Sequence, residues 1–307
     1  MLTYVMGDLF RSPAKVLVNT VNTVGVMGKG IAKDFKAIYP EMFREYQRLC
    51  ESKTLDVGQL HLFRTPHKWI LNFPTKQHWR QPSRPEYIEA GLKAFVKTYE
   101  ANSINSVAFP PLGCGNGELN WERQVRPLME QFLRRLPIDV HVHLYRKDAF
   151  PVEHRSIAET KTWLRSEPES LAFVEVWEDV RTLVSRRGEF TTFLTNRPFH
   201  VALTDTPEPG LVFDLDEPFF VPQEALLDLW QFLRSVGFIT EEGLTFGLDA
   251  HAEEVFSVLQ ELPYLRLTRV SPESYNSDAD FLYALQLVPR IGSAAGDLFG
   301  VVEQTVQ

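Results

Sequence analysis

Two short apolar runs that each empty into a glycine-rich turn constrain this chain more than anything else in it. Val16-Leu17-Val18 leads into Thr20 to Lys33, which holds Gly25, Gly28 and Gly30. Ser106 to Phe109 leads into a turn with Gly113, Gly115 and Gly117. Glycine takes backbone angles closed to other residues, so main-chain N–H groups in such turns can approach an anion. The helix opening near Lys29 adds unpaired N–H groups and the positive end of its dipole. The first strand aims Asn19 and Asn22 at the same spot. One such loop is most simply a turn; two in one domain suit a diphosphate. Their spacing fits neither Gly-x-x-x-x-Gly-Lys-Ser/Thr nor a dinucleotide fingerprint with an acidic partner about 20 residues on.

The rest of the first half supplies a frame for these loops. Strand-like runs fall at Leu2–Val5, Val16–Val18, Gln59–Phe63, Trp69–Phe73, Val107–Phe109 and the alternating Val140, Val142, Leu144. Helical stripes lie between them: Ile88, Leu92, Phe95, Val96 and Tyr99 over 86–99, and Val125, Leu128, Met129, Phe132 and Leu136 over 121–136. Strands separated by helices predict an α/β fold with a mostly parallel sheet covered on both faces and ligands at the strand C-terminal ends, where both loops lie.

Charge divides the chain. Residues 1–154 carry 21 Lys/Arg against 15 Asp/Glu, a net of +6; residues 155–307 carry 11 against 25, a net of −14. A basic first half suits a polyanionic substrate, and an acidic second half suits a basic partner, although acidity can also serve solubility alone. The best linker runs from about 150 to 168, from Phe150-Pro-Val-Glu-His to Ser166-Glu-Pro-Glu-Ser. Beyond it a helix over 169–187 and strands at 190–194, 199–203 and 211–213 are expected. Helices near 222–236 and 249–261 and strands at 265–270 and 281–288 complete a separate α+β domain. With 44% hydrophobic residues both halves can bury a core. Cys50 and Cys114 are too few and too far apart for a zinc cluster or a disulfide framework, which points to a reducing cytoplasm. No run approaches the roughly 20 apolar residues of a membrane span. His61, His67, His141 and His143 show no metal-ligand spacing, and His141 and His143 read as outward positions of one strand face.

Gly7-Asp8-Leu9-Phe10, Asn19-Thr-Val-Asn22, Gly25-Val-Met-Gly-Lys-Gly-Ile-Ala32 and Pro111-Leu-Gly-Cys-Gly-Asn-Gly117, in this order, resemble the macrodomain family of ADP-ribose-binding modules. Asn72-Phe-Pro-Thr-Lys-Gln-His-Trp-Arg80 is similar to the segment that carries the catalytic lysine in the DNA ADP-ribosyl glycohydrolase antitoxins of that family. The resemblance covers about residues 1–150. It implies a three-layer macrodomain with a mixed, mostly parallel sheet over 1–154; the negative charge of residues 155–307 and their place beside that domain make them an acidic partner-binding domain. Its implied ADP-ribose-binding set is Asp8, Leu9, Asn19, Asn22, Gly28, Lys29, Gly30, Ile31, Gly113, Cys114, Gly115, Asn116 and Gly117, with Asp8 on the adenine amine and Asn22 on the distal ribose. Lys76 is the implied catalytic residue; no cofactor and no metal are implied. The implied substrate is ADP-ribosylated single-stranded DNA, and the implied partner is the DNA ADP-ribosyltransferase toxin that modifies it.

The residues themselves leave alternatives. Lys76 follows an apolar strand and Pro74, which sets an amine at a strand end, yet a surface lysine would look the same. As a nucleophile it would need burial or nearby cations to lower its pKa; charged, it could protonate or stabilise a leaving base. Asp8 could be a helix N-cap. Trp79 beside His78, Arg80 and Arg84 could stack a base and hold backbone phosphate, or Trp79 could be a core residue. A binding-only macrodomain, a hydrolase acting on ADP-ribosylated protein or ADP-ribose phosphate, and a purely inhibitory protein remain open.

Overall fold

Alternation along the strands sorts the side chains of the first half into two cores. The computed structural model describes residues 1–144, 152–270 and 281–288 and contains two units, Met1–Thr162 and Trp163–Gln307. Phe150 and Pro151, the start of the expected linker, lie outside the described residues.

In the first unit six strands form one sheet. They are β1 (Leu2–Val5), β2 (Val16–Val21), β3 (His61–Arg64), β4 (Trp69–Pro74), β5 (Ser106–Phe109) and β6 (Asp139–His143), in the order β1-β6-β5-β2-β4-β3. Every pairing is parallel except that of β3 with β4, so the sheet is mixed and mostly parallel as expected. Val16, Val18, Leu71 and Phe73 face a core shared with α3 (Pro85–Thr98) and α4 (Arg126–Leu133) through Ile88, Leu92, Phe95 and Met129. Leu17 and Ile70, one residue out of phase, face the opposite core with α1 (Gly30–Ile38) and α2 (Pro40–Glu51) through Phe35, Met42, Phe43 and Tyr46. Those are the three layers.

The helix expected over 121–136 begins instead as a π-turn, Trp121–Val125, before α4 continues it. Pro127 has no N–H to donate to the carbonyl of Arg123, which disfavours regular α-helical hydrogen bonding through this segment. A polar ladder crosses the apolar interior. Asn19 on β2 donates to Asn72 Oδ1 on β4 at 2.9 Å; Asn72 Nδ2 lies 3.1 Å from His61 Nδ1; His61 Nε2 lies 2.7 Å from Glu45 Oε1. His143, expected to point outward, is buried, with Nδ1 3.2 Å from the carbonyl of Gly7. Its strand lies between two neighbours and both faces of the sheet are covered, so that position has no outward side.

The second unit is α+β. Strands β7 (Glu189–Thr191), β8 (Pro198–Thr204), β9 (Gly210–Asp214) and β10 (Phe219–Pro222) form an antiparallel sheet in the order β10-β9-β8-β7. A second antiparallel sheet has the order β11-β13-β12, from Phe238–Thr240, Leu282–Leu287 and Leu265–Val270. The unit also contains α6 (Phe173–Arg187), α7 (Gln223–Val236) and α8 (Ala252–Leu259), while α5 (Ile157–Ser166) runs across the division between the units. Trp230, fully buried on α7, donates to the carbonyl of Leu171 at 3.0 Å. Among the described residues no helix is long and apolar enough to cross a membrane, and none group into a cluster able to hold a metal ion.

Candidate active site

The site grows out of the parallel pair β2–β4. Pairing continues past the strand ends: Thr75 N–H donates to the Val21 carbonyl at 2.9 Å, and Thr23 N–H to the Gln77 carbonyl at 3.2 Å. These two bonds bracket Lys76 and set it opposite Asn22. Lys76 is 6% exposed, and its amine has no hydrogen-bond partner; the nearest carboxylate oxygen, Glu153 Oε2, is 4.0 Å away. Burial lowers the Lys76 pKa from its ordinary value, against the opposing pull of Glu153 and Glu118. The surface-lysine alternative is therefore excluded by its position.

The first glycine loop ends at α1, whose N-cap residue Lys29 makes no cap with its own side chain. Gly30 opens the helix at a φ of +61°, and a Cβ there would lie 3.1 Å from Asn116 Nδ2. The two loops thus meet, and glycine permits both the angle and the approach. In the second loop a Cβ on Gly117 would come within 2.2 Å of Ser83 Oγ and 2.4 Å of the Gly113 carbonyl. Ser83 N–H donates to the Gly117 carbonyl at 3.0 Å, while its buried hydroxyl has no partner. Ser83 goes beyond the sequence expectation, since nothing local marks it.

Glu153 also goes beyond that expectation. It is 6% exposed, accepts from the Lys29 backbone, and feels the positive charges of Lys76 and Lys29. Burial nonetheless raises its pKa. His154 Nε2 lies 2.7 Å from Glu118 Oε2, and Arg155 pairs with the same carboxylate, so the turn 153–155 is fixed to the second loop.

Several expected ligand residues have structural duties here. Asp8 is exposed and caps the turn Leu9–Arg11, Oδ1 accepting from Phe10 N–H at 3.0 Å, which is the N-cap alternative. The Leu9 side chain belongs to the core, and Ile31 packs against that core. Asn19 is fully buried and donates to Asn72, so its side chain does not reach a ligand in this arrangement. Asn22 Oδ1 accepts from the N–H groups of Val24 and Val26 at 3.1 and 3.3 Å, and Nδ2 donates to the Val26 carbonyl at 2.6 Å. Tyr46 adds its hydroxyl 3.0 Å from the same Oδ1, so Asn22 chiefly shapes the loop. Gly28, Gly113 and Gly117 are buried; Lys29, Cys114 and Asn116 are half-buried; Gly30 and Gly115 are exposed.

Trp79 requires a correction as a nucleic-acid contact. It is fully buried, so its ring offers no face for a base. The Arg80 guanidinium lies 4.8 Å over that ring, and His78 is half-buried with Nδ1 accepting from Arg80 N–H at 3.1 Å. Arg84 is exposed, 5.7 Å over Tyr87.

Residues 18–128 match the Macro domain family. A DNA ADP-ribosyl glycohydrolase of Thermus aquaticus is 41% identical over 181 residues, 58% of this chain and 49% of that protein. A DNA ADP-ribosyl transferase–DNA ADP-ribosyl glycohydrolase fusion protein of Thermosipho africanus is 37% identical over 169 residues, 49% of this chain and 43% of that protein. The structure of the macrodomain of Mycobacterium tuberculosis DarG is 45% identical, with a TM-score of 0.46, covering 48% of this chain and 99% of that one. The chain spans about half the length of the curated relatives it matches. The Macro domain match thus falls within the first unit, on the six-stranded sheet that carries the paired glycine loops.

Proposed function

We propose that this chain is an ADP-ribosyl glycohydrolase that removes ADP-ribose from a base of single-stranded DNA and acts as antitoxin to the transferase that attaches it. The observation that carries this reading is the buried amine of Lys76, held at a strand end beside an anion cradle. A lysine removed from water needs a purpose, because burial disfavours its charge. With the diphosphate held by the two loops, the anomeric carbon of the distal ribose lies toward Lys76, and the amine either attacks that carbon as the base departs or, protonated, assists departure while water attacks. The amine acts without a metal or cofactor in this reading.

The assay is incubation of the purified protein with ADP-ribosylated single-stranded DNA, ADP-ribosylated protein and free ADP-ribose. Release from DNA well above release from protein is expected. The reverse preference would move the substrate to protein, a reading that the burial of Trp79 favours by removing a stacking surface.

The second unit supplies the other half of the proposal, as a partner-binding domain for the transferase. Asp214, Asp216, Glu217 and Glu242 are exposed and Glu241 is half-buried. A transferase that grips single-stranded DNA must carry a positive groove, and these carboxylates can occupy it in place of phosphates. Residues from about 155 onward are expected to co-purify with the transferase, to release it as salt rises, and to protect cells even when Lys76 is absent. Asp214→Lys with Glu217→Lys is expected to weaken the complex by about tenfold or more. An acidic half that neither co-purifies nor rescues growth leaves antitoxin action to hydrolysis alone.

A further inference from the structure

Glu153 sits where an acidic side chain has little reason to be unless it stands in for something else. The N-terminus of α1 forms a cradle for a ligand's anion beside the Lys76 amine, and the Glu153 carboxylate lies in it, bonded to the Lys29 backbone and 4.0 Å from Lys76 Nζ. At 6% exposure it has given up nearly all of its water. A carboxylate carries the same sign of charge and the same acceptor oxygens as a phosphate, so it satisfies donors that would otherwise face a ligand. The turn that carries it is fixed at its far side, where His154 and Arg155 both pair with Glu118 on the second loop. The segment therefore links one glycine loop to the other.

We propose that residues 152–155 are an internal strap and that Glu153 is a built-in competitor for the phosphate cradle, which an ADP-ribosyl ligand has to displace. This rests on the ADP-ribose reading above. The strap sets a threshold: a bare ADP-ribose molecule competes poorly, whereas a substrate with further contacts through its nucleic acid displaces the carboxylate. Once displaced, Glu153 leaves Lys76 facing the ligand, with its amine free of the nearby negative charge.

Calorimetric titration of the full-length wild type, Glu153→Gln, Glu153→Ala and Glu118→Gln with ADP-ribose tests this, with release from ADP-ribosylated DNA measured alongside. Both Glu153 variants are expected to bind ADP-ribose at least tenfold more tightly than wild type. Glu118→Gln, which loosens the strap but keeps its carboxylate, is expected to tighten binding by a smaller factor and serves if the Glu153 variants fail to fold. Unchanged or weaker binding by these variants, with wild type binding normally, overturns the strap while leaving the ADP-ribose reading intact. Loss of turnover at unchanged affinity also overturns it, making Glu153 a reaction partner of Lys76. Absence of binding by every protein at millimolar ADP-ribose overturns both readings.

Discussion

Lys76→Ala is expected to lower release of ADP-ribose from DNA by about 10³-fold or more while leaving ADP-ribose affinity within a few-fold of wild type. The glycine loops supply the affinity, and the amine acts only on the bond being broken, so its loss falls on the transition state. The pH profile of the wild type separates the two roles of the amine. Burial places the Lys76 pKa below its ordinary value. If the neutral amine attacks, the rate climbs as pH rises through that lowered pKa. If the ammonium assists the leaving base, the rate falls through it. Borohydride traps an adduct only in the first case. An alanine variant with wild-type turnover would remove Lys76 from the mechanism.

Trp79→Ala is expected to destabilise the first unit by about 3–5 kcal/mol, the range for removing a buried aromatic. That corresponds to a melting point lower by about 10 °C for a unit of this size. Trp79 is wholly buried directly after the Lys76 segment, with His78 5.7 Å away and Arg80 over its ring. Its loss also loosens the bracket around the amine, so turnover falls with stability. Thermal unfolding followed by circular dichroism reads the first effect. An unchanged melting point with weakened DNA binding would instead restore the ring as a base-stacking surface.

Much of this fold was legible because its signals are local. Leu17 and Val18 alternate between two cores as their period predicts, and each glycine loop follows its strand within a few residues. In the second unit α6, α7 and β8 fall close to the expected ranges for the same reason. Elements set by distant partners were less legible. β11 has three residues and is defined by pairing with β13, more than 40 positions away, while β10 is a short aromatic run closed by Pro222. The site divides in the same way. Lys76 follows a strand that ends in proline, a local pattern, but Glu153 and Ser83 reach the loops only through tertiary contacts that no nearby residue announces. Asn19 and Trp79 show the converse: polar and aromatic residues beside a loop look like ligand contacts until packing assigns them to the interior.

The Asn19–Asn72–His61–Glu45 ladder acts as a register lock for the site. A parallel pair made only of Val, Leu and Ile could slide by two residues and still bury the same faces. Such a slip would carry Lys76 about 7 Å along the strand axis, away from Asn22 and the opening of α1. In this chain it would also pull Asn19 off Asn72 and leave amide groups unpaired in the interior, which a dry core does not tolerate. Polar residues paired in the interior thus hold the Lys76 amine opposite Asn22.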